Sequence, residues 1–137
     1  PADVAVCAAA VADWRVAKPA AQKLKKNGGA PPALELAENP DVLATLAAPG
    51  NARPRLVIGF AAETERLVEN ARAKLAKKRC DWIVANDVSE GTGTFGGANN
   101  TVHIVDAQGV ESWPSLGKTE VAARLAQRIG RALAGTA

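Results

Sequence analysis

The chain of 137 residues contains no Met and no Tyr, a single His, two Cys, and three Trp and two Phe as its whole aromatic content. Each shortage excludes something. The lone histidine, His103, has no second His or Cys–His cluster around it, and no G-x-S-x-G stretch occurs, so nucleophilic triads and zinc sites are excluded. His103 sits in a hairpin-like pattern and reads as a strand residue. Cys7 and Cys80 lack CxxC spacing and lie among apolar residues, so reduced core thiols of a cytoplasmic protein are expected rather than a staple. Cations without interleaved aromatics make a poor stacking surface, which argues against nucleic acid as a partner. No apolar run approaches the roughly 18 residues of a membrane span, and residues 1–4 have no charged n-region ahead of an apolar h-region. No membrane association is therefore expected. The chain starts at Pro1 without an initiator Met, and its beginning reads as a cut.

What is present is a core. Hydrophobic residues make up 47% of the chain, enough for one compact domain. The net charge of +3 is mild, so any basic patch has to be argued locally.

Residues 4–11 are continuously apolar, the pattern of a strand buried on both faces in a parallel sheet. Asn39-Pro40-Asp41-Val42-Leu43 predicts a helix start, with Asn39 as N-cap, Pro40 at the first helical position and Asp41 in the first turn, and a stop by Pro49-Gly50. A second buried strand over 56–60, an amphipathic helix over 64–78 and a third strand over 81–86 make a βαβ unit. A Gly-rich loop over 91–100 precedes two short strands within 101–113, joined by a turn containing Gly109. Val121, Leu125, Ile129 and Leu133 recur every fourth residue and predict a helix over 119–133 packed on the sheet. The expected fold class is α/β: a Rossmann-like open, largely parallel sheet with flanking helices and a C-terminal antiparallel hairpin.

In such sheets ligands bind beyond the carboxyl ends of the strands. Those ends are residues 9–13, 59–64 and 85–88. Gly91-Thr-Gly-Thr-Phe-Gly96 has the G-x-G-x-x-G spelling of a dinucleotide fingerprint, but no helix pattern opens on it, so a flexible loop is the better reading. Lys74 and Lys78 lie one turn apart at the edge of, and within, the apolar arc of Leu67, Ala71 and Leu75. Two readings stay open for them: complementing the helix dipole, or rimming the crevice to meet an anion. Lys23, Lys25 and Lys26 are either a solvated loop or part of one that folds back over a site. Asp13, the only acid near them, is either a turn former or a carboxylate that helps hold Mg²⁺ beside phosphates.

Ala9-Ala-Val-Ala-Asp-Trp-Arg15, Lys23-Leu-Lys-Lys26, Asn39-Pro-Asp-Val-Leu43, Gly59-Phe-Ala-Ala-Glu-Thr64, Ala73-Lys-Leu-Ala-Lys-Lys78, Asp81-Trp-Ile-Val-Ala-Asn86 and the stretch from Phe95 to Asn100-Thr-Val occur in this order. Together they resemble the phosphopantothenate–cysteine ligases (phosphopantothenoylcysteine synthetases) of coenzyme A synthesis. The resemblance covers nearly the whole chain. It implies activation of the carboxylate of 4′-phosphopantothenate by CTP with Mg²⁺, giving an acyl-cytidylate and pyrophosphate, followed by displacement of CMP by the amine of cysteine. CTP rather than ATP rests on the bacterial character of the likeness.

Carried over by residue, the resemblance puts Ala8 and Ala9 against the nucleotide and Asp13 near the triphosphate and its metal. Lys23 becomes a nucleotide contact and the catalytic cation of a mobile flap. Pro40, Asp41, Val42 and Leu43, together with Phe60, shape the nucleotide pocket. Lys74 and Lys78 bind phosphates, which overrides the dipole reading. A homodimer is implied, with strands after the Gly-rich loop at its interface, and FMN only on a separate decarboxylase domain of the parent protein. Residues 1–137 would form the C-terminal part of one ligase domain. The family's Asn-Ser-Ser-Gly-type motif, whose Asn stabilises the acyl-cytidylate, lies in a preceding part absent here. Nucleotide binding without complete ligation is therefore expected, and a non-catalytic nucleotide-binding or regulatory module is the rival class.

Overall fold

Residues with a branched or aromatic side chain at every position of a short run satisfy a strand only when both faces are covered, and the three-layer arrangement of this chain supplies that cover. The structure, a computed structural model, describes residues 1–25, 28–31, 33–50, 52–89 and 97–135. In chain order the elements are β1 (Val4–Cys7), β2 (Trp14–Val16), β3 (Leu36–Glu38), α1 (Val42–Ala47), β4 (Leu56–Glu63), α2 (Leu67–Lys78), β5 (Trp82–Asp87), β6 (Asn99–Asn100), β7 (Val102–Val105), β8 (Val110–Ser112), β9 (Leu116–Gly117) and α3 (Lys118–Leu133). No helix among the described residues is long and apolar enough to cross a membrane. The chain divides into two units, one of Pro1–Ala8 with Leu43–Ala137 and one of Ala9–Val42.

In the larger unit five strands form one sheet in the order β1-β4-β5-β7-β8. β1, β4 and β5 run parallel, while β7 and β8 are antiparallel to their neighbours. This is the Rossmann-like α/β sheet with a C-terminal hairpin that the sequence predicts. Alternation splits the core in two. Leu56, Ile58, Trp82, Val84, Val102 and Ile104 face Val121 and Leu125 of α3. Val57, Ala61, Ile83, Ala85 and Val105 face the other way, onto Ala47 of α1 and Ala71 of α2. Gly59 is where α1 comes closest: a Cβ there would lie 2.5 Å from Leu43 Cδ2 and 3.0 Å from Ile83 Cδ1.

Several boundaries differ from the sequence prediction, each for a physical reason. β1 ends at Cys7, not at residue 11, and is half-buried, with Val6 45% exposed. It pairs with β4 alone, through Cys7↔Gly59, and Ala8 to Ala10 have too little side chain and too low a strand preference to prolong it. Cys7 is accordingly only half-buried, whereas Cys80 is in the core. α1 starts at Val42, so Pro40 and Asp41 precede the helix. Asn39 is not its cap, because its side chain is committed elsewhere: Nδ2 donates to the Ala12 carbonyl at 2.7 Å and Oδ1 accepts from Arg15 at 3.3 Å. β4 runs on to Glu63, three residues past the predicted end, which delays α2 to Leu67. The turn between them is tied by Asn70 Nδ2, which donates to Glu63 at 3.0 Å and to the Glu65 carbonyl at 3.1 Å.

The connections before β4 and β5 are held together by a partly buried ion pair. Both Arg53–Asp81 contacts are about 3 Å, and Asp81 Oδ2 also accepts the Val57 amide at 2.6 Å. Arg53 Nε donates to the Ala47 carbonyl at 3.0 Å. Asp81 thus joins the connections before β4 and before β5. Replacing it strands both the guanidinium and the Val57 N–H. Asp81→Ala is expected to cost about 2 kcal/mol, read as a fall in chemical-denaturation stability, since hydrogen bonds to charged groups run near that value.

Candidate functional site

The smaller unit is a ribbon. β2 and β3 pair antiparallel with Trp14↔Glu38, Arg15↔Ala37 and Val16↔Leu36. The Ala17 N–H donates to the Glu35 carbonyl at 2.9 Å, and Lys18 meets Glu35 at 3.3 Å, closing the stem. Arg15 also donates to the Glu38 carbonyl. At its base the Asn39 N–H donates to the Asp13 carbonyl at 2.8 Å, so the backbone of Asp13 is fixed while its carboxylate is exposed. The segment between the strands carries Lys23 and Lys25, both exposed, and Lys26 lies outside the described residues. A segment of this length on a two-stranded stem is the usual form of a functional loop. Ala9, Pro40, Asp41 and Val42 are exposed in the same unit.

Chemically, the ribbon offers the exposed carboxylate of Asp13 at its base and the exposed ammonium groups of Lys23 and Lys25. Among the described residues no group of three or more His, Cys, Asp or Glu is arranged to hold a metal ion. The exposed Asp13 carboxylate, with no such group around it, fits Mg²⁺ delivered with substrate phosphates, the usual mode for this ion, and not a protein-built cage.

In the larger unit Ala8 is exposed just past β1, and Leu43 is half-buried against Gly59. Phe60 is the first β4 residue beyond the last β1 pair, and its carbonyl accepts the Lys74 ammonium at 2.7 Å. The helix thus sends a cation back to the sheet where β1 stops. An ammonium has three donors, so this contact fixes Lys74 and leaves two for a ligand. Lys78, one turn on, is half-buried and has an interaction of its own. Both lysines are half-buried on the helix that buries Ala71.

A cavity of about 640 Å³ opens at the amino ends of β4 and β5, lined by Leu56, Cys80, Trp82, Gln108, Arg128 and Arg131 among others. It contains none of the candidate residues. Its wall is a finished structural cluster: Arg128 stacks 4.1 Å over Trp82 and donates to Glu111 at 2.9 Å and Asp106 at 3.1 Å. Burial pushes the Cys80 thiol above its ordinary value, so it is a poor nucleophile.

Three polar residues at the carboxyl end of β5 are not among the sequence candidates. Asn86 and Asn100 each bury a side-chain oxygen, and Asp87 accepts from Ser89 through both the hydroxyl at 2.5 Å and the amide at 3.0 Å. The signals in the sequence are polar residues closing the apolar run of β5 and the presence of Asn86 and Asn100 in the stretches that carry the resemblance. Gly91 to Gly96, Phe95 included, lie outside the described residues, and the next element among the described residues is the strand β6. His103 is a β7 residue whose Nδ1 meets Ser112 Oγ at 2.8 Å across the hairpin.

The model of the DNA/pantothenate metabolism flavoprotein C-terminal domain matches residues 1–133. The chain is 43% identical over 143 residues to the coenzyme A biosynthesis bifunctional protein CoaBC of Mycobacterium tuberculosis (strain ATCC 25618 / H37Rv), covering 98% of this chain and 34% of that protein. It is 45% identical over 98 residues to CoaBC of Escherichia coli (strain K12), covering 70% of this chain and 24% of that protein. It spans a third of the length of such relatives, or less. The crystal structure of the C-terminal domain of a coenzyme A biosynthesis bifunctional protein CoaBC superposes with a TM-score of 0.71 at 33% identity, covering 97% of this chain and 56% of that one. The DNA/pantothenate metabolism flavoprotein of Streptococcus pneumoniae shares the fold, with a TM-score of 0.71 at 21% identity over 93% of this chain and 62% of that one.

The Ser89 hydroxyl, and after it the Ser89 amide, hold the Asp87 carboxyl below its ordinary value. A depressed folded value means stabilisation that is complete above the ordinary carboxylate range near ~4 and lost as pH falls through the folded value. Ser89→Ala is expected to raise the Asp87 titration midpoint, followed by carboxyl NMR, and to reduce the acid-side loss of stability. An unmoved midpoint would contradict the assignment.

Proposed function

The chain belongs to the DNA/pantothenate metabolism flavoprotein C-terminal domain family, and from that membership we propose that it carries the nucleotide-handling part of a phosphopantothenate–cysteine ligase of coenzyme A synthesis. The observation that carries the reading is the Lys74 ammonium, fixed 2.7 Å from the Phe60 carbonyl where β1 pairing ends. A preorganised cation at the carboxyl end of a parallel sheet is what a polyphosphate needs.

In the reaction a carboxylate oxygen of 4′-phosphopantothenate attacks the α-phosphorus of CTP and the bond to pyrophosphate breaks. The amine of cysteine then attacks the acyl carbon, the carbon–oxygen bond breaks, CMP leaves, and the nitrogen loses its proton. Lys74 and Lys78 bind phosphate oxygens, while Ala8, Ala9, Pro40, Asp41, Val42, Leu43 and Phe60 hold the nucleoside. Asp13 supplies the protein ligand to Mg²⁺, which neutralises phosphate charge when bound. Lys23, on the loop of the ribbon, brings its charge to the phosphorus as negative charge builds there. The amide-forming step belongs to the whole ligase. We place the parent protein in the cytoplasm as a homodimer, with FMN confined to a decarboxylase domain elsewhere in it.

Calorimetric titration of the chain with CTP, ATP and UTP in the presence of Mg²⁺ tests the binding half. Selective CTP binding is expected, and no nucleotide binding at all would leave a structural module. For the chemical half, Lys23→Gln in the full-length protein should lower turnover in a pyrophosphate-release assay by about 100-fold, while CTP affinity changes far less. Equal losses in the two would make Lys23 an ordinary binding residue.

A further inference from the structure

Native proteins rarely bury a carboxamide oxygen without a donor, because its lost hydration is then uncompensated. Here the Oδ1 atoms of Asn86 and Asn100 are sealed from solvent and have no hydrogen-bond partner among the described residues. Asn100 is 9% exposed and is the buried polar residue of the described chain.

The sheet register relates these two residues. Asn86 continues the alternation of Trp82 and Val84, whose side chains lie in the core on the α3 side. Its register partner is Val102, in the same core, and Asn100 precedes Val102 by two residues. Phe60 packs against that core as well. Asn100 is carried by β6, which is held to β9 by two residue pairs, Asn99↔Gly117 and Asn100↔Leu116. The Lys118 N–H also donates to the Ala98 carbonyl at 3.0 Å, and ligand access to the Asn100 oxygen requires this short ribbon to part locally. Both orphan atoms are acceptors, so what the place lacks is an N–H donor.

We propose that Asn100, together with Asn86, determines ligand specificity by accepting a hydrogen bond from an amino group of a ligand bound at the carboxyl end of β5. The proposal rests on the ligase reading, in which two substrates carry that chemistry: the base amine of CTP and the amine of cysteine. UTP has a carbonyl where CTP has its base amine. The unpaired oxygens are then a stability cost retained for recognition.

The test compares the wild-type chain with Asn100→Leu and Asn100→Asp by calorimetric titration with CTP, UTP and L-cysteine, each with Mg²⁺, alongside thermal melts. Asn100→Leu should melt at the wild-type temperature or above it, since an unpaired buried oxygen is gone. Its affinity for the amine ligand should nevertheless fall about tenfold or more, with UTP unaffected. A loss for CTP alone assigns the base amine, and a loss for cysteine alone the amino-acid amine. Asn100→Asp keeps the acceptor and should keep the affinity. Unchanged CTP and cysteine affinities in Asn100→Leu overturn the proposal, whether the variant melts higher, as for an idle amide, or lower, as for one satisfied by internal water. Equal weakening towards CTP and UTP also overturns it. Should Asn100→Leu not fold, a loss of affinity in Asn100→Asp is the overturning result. Wild-type chain that binds no nucleotide removes the ligase reading and this inference with it.

Discussion

Burial of the β4–β5 pair on both faces is the constraint on which the rest of the larger unit depends. Val57, Ile58, Ile83, Val84 and Ala85 are fully buried, and each face is closed by a different part of the chain. One face needs α3 and the other needs α1 and α2. Removing any of these layers would expose alternate residues of the same two strands, so the helices are held in place by the sheet's apolar area. The hairpin β7–β8 extends this core without a crossover, since an antiparallel neighbour needs only a turn.

Such a core fixes where polar chemistry can be placed. At the amino end of the strands the charges satisfy one another: Arg53 with Asp81, and Arg128 with Asp106 and Glu111 over Trp82. Glu111 shows the effect, its carboxyl held below the ordinary value first by the Trp113 indole N–H and then by Arg128. At the carboxyl end of the sheet the polar groups are less completely used. Past the end of β1, Lys74 makes one contact with a main-chain carbonyl, and two amide oxygens have no partner among the described residues. One end of the sheet is therefore finished as structure, while the other keeps binding capacity in hand, which is the asymmetry expected of an open parallel sheet that binds a ligand.

Much of this was legible in the order of residues. Continuous apolar runs announced β4 and β5, and the four-residue interval of Val121, Leu125, Ile129 and Leu133 announced α3, because periodicity survives whatever packs on it. Boundaries were less legible. Asn39, Pro40 and Asp41 have the local chemistry of a helix start, yet Asn39 is spent on Ala12 and Arg15. Its competing partners lie more than 20 residues away in sequence, where no local rule reaches. The site divided similarly. Lys74 was visible as a cation at the rim of an apolar stripe, but its attachment to Phe60 depends on where β1 stops.

The sequence alone determined the class of the protein: an α/β sheet with a terminal hairpin, and a motif set that led to its family. Tertiary structure decided which polar atoms are already paired and which are not. Asn86 and Asn100 stand in stretches that carry the family resemblance, but nothing in those stretches says that their oxygens lack a donor while the amide of Asn70 ties a turn. Whether a side-chain oxygen has a donor depends on what other strands and helices bring within about 3 Å of it, and that proximity exists only after long-range packing is complete.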